Sequence, residues 1–331
     1  MDLGNKIKIK DEGSLIMKFQ CLKQLRGWVI AMSLGFGFEA KAVEVDGKGH
    51  CLIEQVNYPA VGFGTYPLQD ETCARALEHA AEVGYRIIDT ATFYENFIPI
   101  GRVLNKLGRH NFYVISKVWP NAQTAQRLRE DLKRTLTQLQ TSYLDAYLVH
   151  WPNSRIPIEE TLRTMEELRR QRLIRHIGLS NVTVNHLKRA LEVGVPITWV
   201  QVEMHPAFYD PELLEFCKKN SITVQAWAPL GRGRLSEDSF LSQLGKKYGK
   251  TASQIALRWI IQHGCIPLPN SKNKHHMQQN MDIMDFSLSR EEMEAINQRA
   301  RAGKRERVTE DFGLGFTDEF DFSYEECWPQ Q

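Results

Sequence analysis

YVISKVWPNAQTAQRLREDLKRTLTQLQTSYLDAYLVH, residues 113–150, decides the fold. It opens on YVISK (113–117) and closes on DAYLVH (145–150), two short runs that stay apolar on successive positions. Runs of that kind mark strands covered on both faces, as in a parallel sheet. Between them, TAQRLREDLKRTLTQLQ (124–140) repeats Leu128, Leu132, Leu136 and Leu139 at helical spacing,. The stretch therefore reads as strand, helix, strand.

The same alternation continues in both directions. AVGFG (60–64) and YRIID (85–89) precede it, and RHIGLS (175–180), WVQVE (199–203), TVQAW (223–227) and CIPLP (265–269) follow. ETCARALEHAAEVG (71–84) puts Ala74, Leu77, Ala80 and Ala81 on one side and stops at Gly84, a residue suited to a left-handed helix end,. IEETLRTMEELRRQR (158–172) and TASQIALRWIIQHG (251–264) are further helical patterns. Eight such strand runs in one chain predict an α/β fold of the (β/α)8 TIM-barrel type,. A doubly wound sheet is the rival, but no phosphate loop follows the first strand. Length alone permits two domains, yet no linker or fixed repeat interrupts the series.

Composition narrows the function. Lys plus Arg number 42 against 40 Asp plus Glu, a net +2 that gives no bulk attraction to nucleic acid or an acidic membrane,. The six cysteines lie far apart without CxxC or short His/Cys spacing, so neither a zinc site nor a disulfide framework is expected,.

The first forty residues stand apart. GWVIAMSLGFGF (27–38) is the longest apolar run and too short to span a bilayer,. Read from Met17, with Lys18, Lys23 and Arg26 before it and Ala40-Lys41-Ala42 after it, the run has the layout of an export signal,. Gly35, Gly37 and Ala40 match a dinucleotide fingerprint, but VEVDGKG follows where a long helix should open, so that match is rejected,. Three segments are expected: an extension at 1–42, a barrel at 43–308, and a tail at 309–331 over the barrel mouth. A cytoplasmic location is expected, with export and cleavage after Ala42 as the alternative.

Catalytic groups of such barrels sit at the C-terminal ends of strands. Asp89 ends strand two with Tyr94 five residues on, Lys117 ends strand three, and His150 ends strand four. Ser180 and Asn181 follow strand five, and Gln201 lies near the end of strand six. Each alone has a packing explanation, but together they point into one pocket. A Tyr beside an ammonium becomes a usable acid, the Asp would hold the Lys, and the His could orient a carbonyl oxygen or relay a proton.

These residues resemble the aldo-keto reductase family. GYRIIDTATFYEN (84–96), LDAYLVHWP (144–152), IRHIGLSN (174–181), VQVEMHP (200–206), VQAWAPLGRG (224–233) and GFGTYPL (62–68) are similar to its signatures, in order, across about residues 45–300. The resemblance implies NAD(P)H-dependent reduction of aldehydes or ketones, with Asp89, Tyr94, Lys117 and His150 as catalytic tetrad and Tyr94 as proton donor. It places Ser180, Asn181 and Gln201 on the nicotinamide carboxamide and stacks Trp227 on its ring, where the family usually has Tyr. It assigns Leu230, Asn270, Ser271, Lys272, His276, Gln279 and Asn280 to the rest of the cofactor. Substrate would lie against Tyr66, Trp119 and Trp151.

Three departures stand out. Asn270 and His276 replace the usual Lys and Arg that clamp the NADP(H) 2′-phosphate, which opens the way to NAD(H), with Lys272, Lys274 or His275 as substitutes,. Ala228 replaces a Ser that usually touches the cofactor. The tail lacks the family's usual ending and carries Glu310, Asp311, Asp318, Glu319, Asp321, Glu325 and Glu326, with no Lys or Arg after Arg307. Aromatic walls and an acidic tail predict neutral aromatic or medium-chain aldehydes over sugar phosphates and keto acids. The partner is then a small-molecule aldehyde or ketone, with no nucleic acid, membrane span or metal, and the chain a monomer. The alternative is a cofactor-binding regulatory or interaction subunit on the same fold.

Overall fold

The eight runs become eight parallel strands joined edge to edge in sequence order. They are β4 (Phe63–Gly64), β5 (Ile87–Asp89), β6 (Tyr113–Val118), β7 (Leu144–Val149), β8 (Ile174–Ser180), β9 (Ile197–Glu203), β10 (Thr223–Trp227) and β11 (Ile266–Pro267). The computed structural model describes residues 43–302. The expected extension at 1–42, the tail at 309–331 and the end of the predicted barrel segment lie outside the described residues.

Strands β6, β7 and β9 are buried along their whole length, because helices cover the outside and side chains fill the inside,. The helices alternate with them: α1 (Asp70–Val83), α2 (Phe97–Leu107), α3 (Ala125–Gln138), α4 (Ile158–Arg170), α5 (Val184–Glu192) and α6 (Pro211–Lys219). Two helices, α7 (Ser239–Tyr248) and α8 (Ala252–Gln262), separate β10 from β11, and α9 (Lys274–Met281) and α10 (Arg290–Ala302) complete the outer layer. Helix α1 stops at Gly84 with φ 115°, as its sequence predicts,. Capping boxes at Thr183/His186 and Thr251/Gln254 start α5 and α8,. Each such cap contributes about 1 kcal/mol.

The barrel closes where its first and last strands meet. The amides of Gly62 and Gly64 donate to the carbonyls of Pro267 (3.0 Å) and Pro269 (3.1 Å). Proline has no N–H to return the bond, so the seam is one-sided and both strands are short. A Cβ on Gly64 would lie 2.9 Å from the backbone oxygen of Leu268, so glycine is what permits the approach,. In the outer layer, the Tyr85 hydroxyl donates to the carbonyl of Met277 (3.3 Å) and joins the first unit to α9.

A small antiparallel sheet seals the other end: β1 (Val43–Val45), β2 (His50–Ile53) and β3 (Val56–Pro59), in that order. Asp46 turns the chain after β1 by accepting from the amides of Lys48 (3.0 Å) and His50 (2.7 Å). The two residues between β2 and β3, Glu54 and Gln55, both have positive φ, as tight hairpins require,. Thr223, at the start of β10, donates to the carbonyl of Val43 (3.3 Å), and the Tyr58 ring packs edge-on against Tyr113. The sheet thus covers the N-terminal ends of the barrel strands.

Candidate functional site

Parallel strands deliver their C-terminal residues to one rim, and the chain uses that rim. Asp89 is the last residue of β5 and Lys117 the fifth of β6. The Lys117 ammonium is wholly buried and donates to Asp89 Oδ2 (2.8 Å), to the carbonyl of Thr90 (3.0 Å) and to the Tyr94 hydroxyl (3.3 Å). Burial pulls the Lys117 ammonium below its ordinary range and Asp89 pulls it back,. Breaking such a pair would strand a buried charge, at a cost of about 3–5 kcal/mol.

Tyr94 ends a one-turn 3-10 helix, Thr92–Tyr94, that follows β5. Both sides of that turn are tied down. Thr92 donates to Asp131 Oδ2 (2.8 Å) on α3, and the same oxygen accepts from the Tyr147 hydroxyl (2.6 Å) on β7. On the other side, buried Asn96 accepts from Thr90 Oγ1 (2.6 Å) and donates to Thr65 and to the Leu68 carbonyl (2.9 Å). The loops carrying Tyr66 and Tyr94 are therefore stitched together, and the two rings lie 5.1 Å apart.

The ammonium expected beside Tyr94 is in place, and the phenol nevertheless stays protonated in this structure. Burial pushes the phenol well above its ordinary value, Asp89 and Tyr66 add to the rise, and Arg232 opposes it. Lys117 is near but already balanced by Asp89, so desolvation wins. Tyr94 consequently keeps its proton at neutral pH, which is the form a donor needs. His150 is neutral for the parallel reason: burial takes it well below its ordinary value, and Lys117 adds to the fall. Its ring stands edge-on to Tyr94 and Trp119, 5.7 and 5.0 Å between centroids, and its buried Nδ1 has no hydrogen-bond partner among the described residues.

A cavity of about 870 Å³ opens over these groups, at the upper end of the size range for small-molecule sites,. Its wall includes Asp89, Tyr94 and His150, then Ser180, Asn181, Gln201, Trp227 and Leu230, and further on Asn270, Ser271, His276, Gln279 and Asn280. Tyr66, Trp119 and Trp151 line the same space. Lys117 lies beneath the wall, and Lys272 is exposed and not part of it. Of the substitute cations, Lys274 is held by Glu82 (2.5 Å), and His275 is exposed off the wall. Asn270 donates to the Gly64 carbonyl (2.7 Å), so its amide also serves the seam.

Sequence reasoning missed Phe93 and Arg232, both on the wall. Phe93 stacks on Trp119 with centroids 4.3 Å apart, so four aromatic side chains, with Tyr66 and Trp151, flank the tetrad. Polar partners inside the rim were also missed. The Gln201 amide donates to Asp89 Oδ1 and to Gln225 Oε1, both at 2.8 Å, so what it offers a ligand is its carbonyl oxygen,. Trp227 donates its indole N–H to Asn181 Oδ1 (2.9 Å), and Asn181 Nδ2 donates to the carbonyl of His150 (2.8 Å) and to Ser180 Oγ (3.0 Å). Glu95, Asn181, Ala228 and Arg232 all hold left-handed backbone without being glycine. Residues kept in that region cost about 1–3 kcal/mol each and cluster where geometry serves a site.

This wall suits an extended ligand with a flat polar ring. An indole face, a hydroxyl and two oriented amides gather beside the buried, unpartnered imidazole nitrogen, and polar side chains continue away from them. The model of the Aldo/keto reductase family matches residues 60–301. A glyoxal reductase of Bacillus subtilis (strain 168) is 36% identical over 257 residues, covering 76% of this chain and 92% of that protein. A 9,11-endoperoxide prostaglandin H2 reductase of Trypanosoma cruzi (strain CL Brener) is 36% identical over 255 residues, covering 75% and 89%. Among solved structures, an aldose reductase from Schistosoma japonicum superposes with a TM-score of 0.73 at 29% identity, covering 82% of this chain and 97% of that one.

Proposed function

The chain belongs to the aldo/keto reductase family, and we propose from that premise how its cavity reduces an aldehyde or ketone to the alcohol with NAD(P)H. A reduced nicotinamide, once bound, would supply hydride to the carbonyl carbon. Trp227, Asn181, Ser180 and Gln201 would hold that ring, because they offer one aromatic face and fixed polar atoms. The carbonyl oxygen would lie between Tyr94 and His150, where the neutral imidazole orients it and the Tyr94 hydroxyl gives up its proton. Lys117 stabilises the phenolate left behind, and Asp89 keeps Lys117 charged. The observation that carries the reading is a single one: a buried Lys117 ammonium joins Asp89 to a protonated tyrosine that borders an open cavity.

The test is NAD(P)H consumption against a panel of aldehydes. Tyr94→Phe should still bind cofactor and lose turnover by about 10²–10⁴-fold. Equal turnover by the variant would sink the mechanism. The relatives named above are reductases, so a purely regulatory role has no support among them.

Cofactor choice follows from the far end of the cavity. Lys274 is engaged by Glu82 and Asn270 by the barrel seam, which leaves His276 as the basic side chain on the wall there. Discrimination for NADP(H) over NAD(H) is therefore weak. His276→Arg should raise NADPH affinity about 10–100-fold, since a charged phosphate contact is worth about 1.5–3 kcal/mol. A wild-type chain that already binds NADPH thousands of times more tightly than NADH would refute this. The same reading has a monomer working in the cytoplasm, where reduced cofactor is supplied. No helix among the described residues is long and apolar enough to cross a membrane.

A further inference from the structure

Gln225, in the middle of β10, is wholly buried, does not line the cavity, and is used by no step of the reduction. It is the register partner of Gln201 on β9, and the two side chains meet inside the barrel. Gln201 Nε2 donates to Gln225 Oε1 (2.8 Å) and also to Asp89 Oδ1 (2.8 Å). Asp89 belongs to β5, which is not a neighbour of β9 in the sheet, so this second bond crosses the interior.

Both N–H bonds of the Gln201 amide are thereby spent. The Asp89 carboxylate only accepts, so it decides which end of that amide points inward. One bond would leave the amide free to swing about it. The bond to Gln225 fixes the plane, and with it the direction of Gln201 Oε1, the atom left for the cavity. This is the one hydrogen bond of the Gln225 side chain among the described residues, because its own Nε2 is buried without a partner there. A dry buried donor costs free energy that an apolar side chain of the same length would not. What glutamine supplies at this position, and methionine would not, is an acceptor for Gln201.

We propose that Gln225 is a positioning residue for the cofactor: by accepting from Gln201 it holds the Gln201 amide oxygen toward the cavity, ready to take an N–H of the nicotinamide carboxamide. This rests on the reductase reading above and deepens it. Gln225 itself stays off the cavity wall, so its whole effect runs through Gln201.

Dissociation constants of NADP⁺ and of its 3-acetylpyridine analogue are measured on the full-length chain. The forms are wild type, Gln225→Met, Gln225→Glu, Gln201→Ala and the double variant Gln201→Ala/Gln225→Met. The analogue has a methyl group in place of the carboxamide NH2, so it offers Gln201 no N–H. Wild type should bind NADP⁺ about three- to tenfold more tightly than the analogue, relative to Gln201→Ala. In Gln225→Met that preference should fall to the Gln201→Ala level. Gln225→Glu, which keeps an acceptor oxygen at the same reach, should restore it. The melting temperature of Gln225→Met should stay within about 2 °C of wild type, since the change removes one dry N–H as it leaves another. Gln225→Leu gives the same readings if the methionine form does not fold. In the double variant, Gln225→Met should add nothing to Gln201→Ala.

An equal preference in wild type and Gln225→Met overturns the proposal. A loss that persists undiminished without Gln201 also overturns it and assigns Gln225 to packing. Binding of neither dinucleotide by wild type would refute the reductase reading itself. The side-chain N–H resonances of Gln201, assigned by their disappearance in Gln201→Ala, then still decide the point. Slower solvent exchange in wild type than in Gln225→Met supports the brace, and equal exchange ends it.

Discussion

The two ends of the barrel hold nearly the same set of side chains and do opposite things with them. At the mouth, Asp89, Lys117, Tyr94 and His150 meet; at the sealed end, Asp145, Arg109 with Arg175, Tyr113 and His176 meet. Asp145 Oδ2 accepts from Arg109 (2.6 Å) and from the Val114 amide (2.8 Å), and Oδ1 pairs with Arg175 (3.2 Å). The Tyr113 hydroxyl accepts from the Trp199 indole (2.8 Å) and shares a bond with His176 Nδ1 (2.7 Å), whose Nε2 faces Glu54 of the hairpin (3.2 Å). At that end the ring nitrogens of His176 both have partners, and the small sheet covers them. At the mouth, His150 Nδ1 has none among the described residues, and Tyr94 borders open space. Residue type does not separate machinery from scaffold here; unspent hydrogen-bonding capacity beside a cavity does.

The largest expected contrast is between the two tyrosines. Tyr94→Phe should cost about 10²–10⁴-fold in kcat with little change in melting temperature. Tyr113→Phe should do the reverse. It leaves Trp199 and His176 with lost partners in a dry interior, a penalty of about 1–3 kcal/mol. For a domain of this size that lowers Tm by a few degrees, with kcat within about twofold. A Tyr113→Phe enzyme as impaired in catalysis as Tyr94→Phe would erase the distinction between the two ends.

A smaller effect tests whether the mouth depends on its anchors. Asp131 touches neither the cavity nor the tetrad, yet it holds Thr92 and Tyr147 through one oxygen. Asp131→Asn should lower kcat about tenfold and leave KM and cofactor affinity near wild type, because it loosens the turn that aims Tyr94. Equal losses in kcat and cofactor binding would point to general unfolding instead.

The smallest effect is on pH. Burial holds His150 well below the ordinary value of 6.5 and holds His176 below it as well. The unfolded chain takes up protons on these imidazoles as pH falls through about 6.5, while the folded chain does not. Their contribution to stability is therefore present above pH 6.5 and lost as pH drops below it. His150→Asn should flatten the decline of Tm between pH 7 and 5 more than His176→Asn, because Glu54 partly offsets burial at His176. Equal flattening by the two variants would show that Glu54 contributes nothing to the difference between the ends.

Much of this was legible in the sequence, and the reason is local. The strand runs and their terminal polar residues are contiguous in the chain, so Asp89, Lys117 and His150 could be placed at one rim from periodicity alone. Gly84 was readable as a helix stop because only its own backbone matters. What escaped depends on partners far away in sequence. Asp131 interrupts the apolar stripe of α3 between Leu128 and Leu132, a buried acid whose role needs Thr92 and Tyr147 to become visible. Arg232 was visible only as a charge between two glycines, and its proximity to Tyr66 arises from the curl of the sheet. Tyr113, Asp145 and His176 fall at strand starts, where the barrel rule says nothing, and their lid is made of strands of three or four residues. Strand signals that short do not emerge from periodicity.

The barrel seam has a thermodynamic consequence. Asn270 and Gly64, joined by one hydrogen bond, lie 206 positions apart, so this stretch of cavity wall exists only while the first and last strands are zipped. A ligand resting there is blind to any opened form and must penalise opening by RT ln(1 + [L]/Kd), about 2.7 kcal/mol at a hundredfold excess over Kd. In exchange terms, the amide protons of Gly62 and Gly64 would trade with solvent roughly a hundred times more slowly in the loaded protein, if opening of the seam limits their exchange. Two glycines that contribute no side chain to the chemistry would then report, from the backbone, whether the cavity beside them is full.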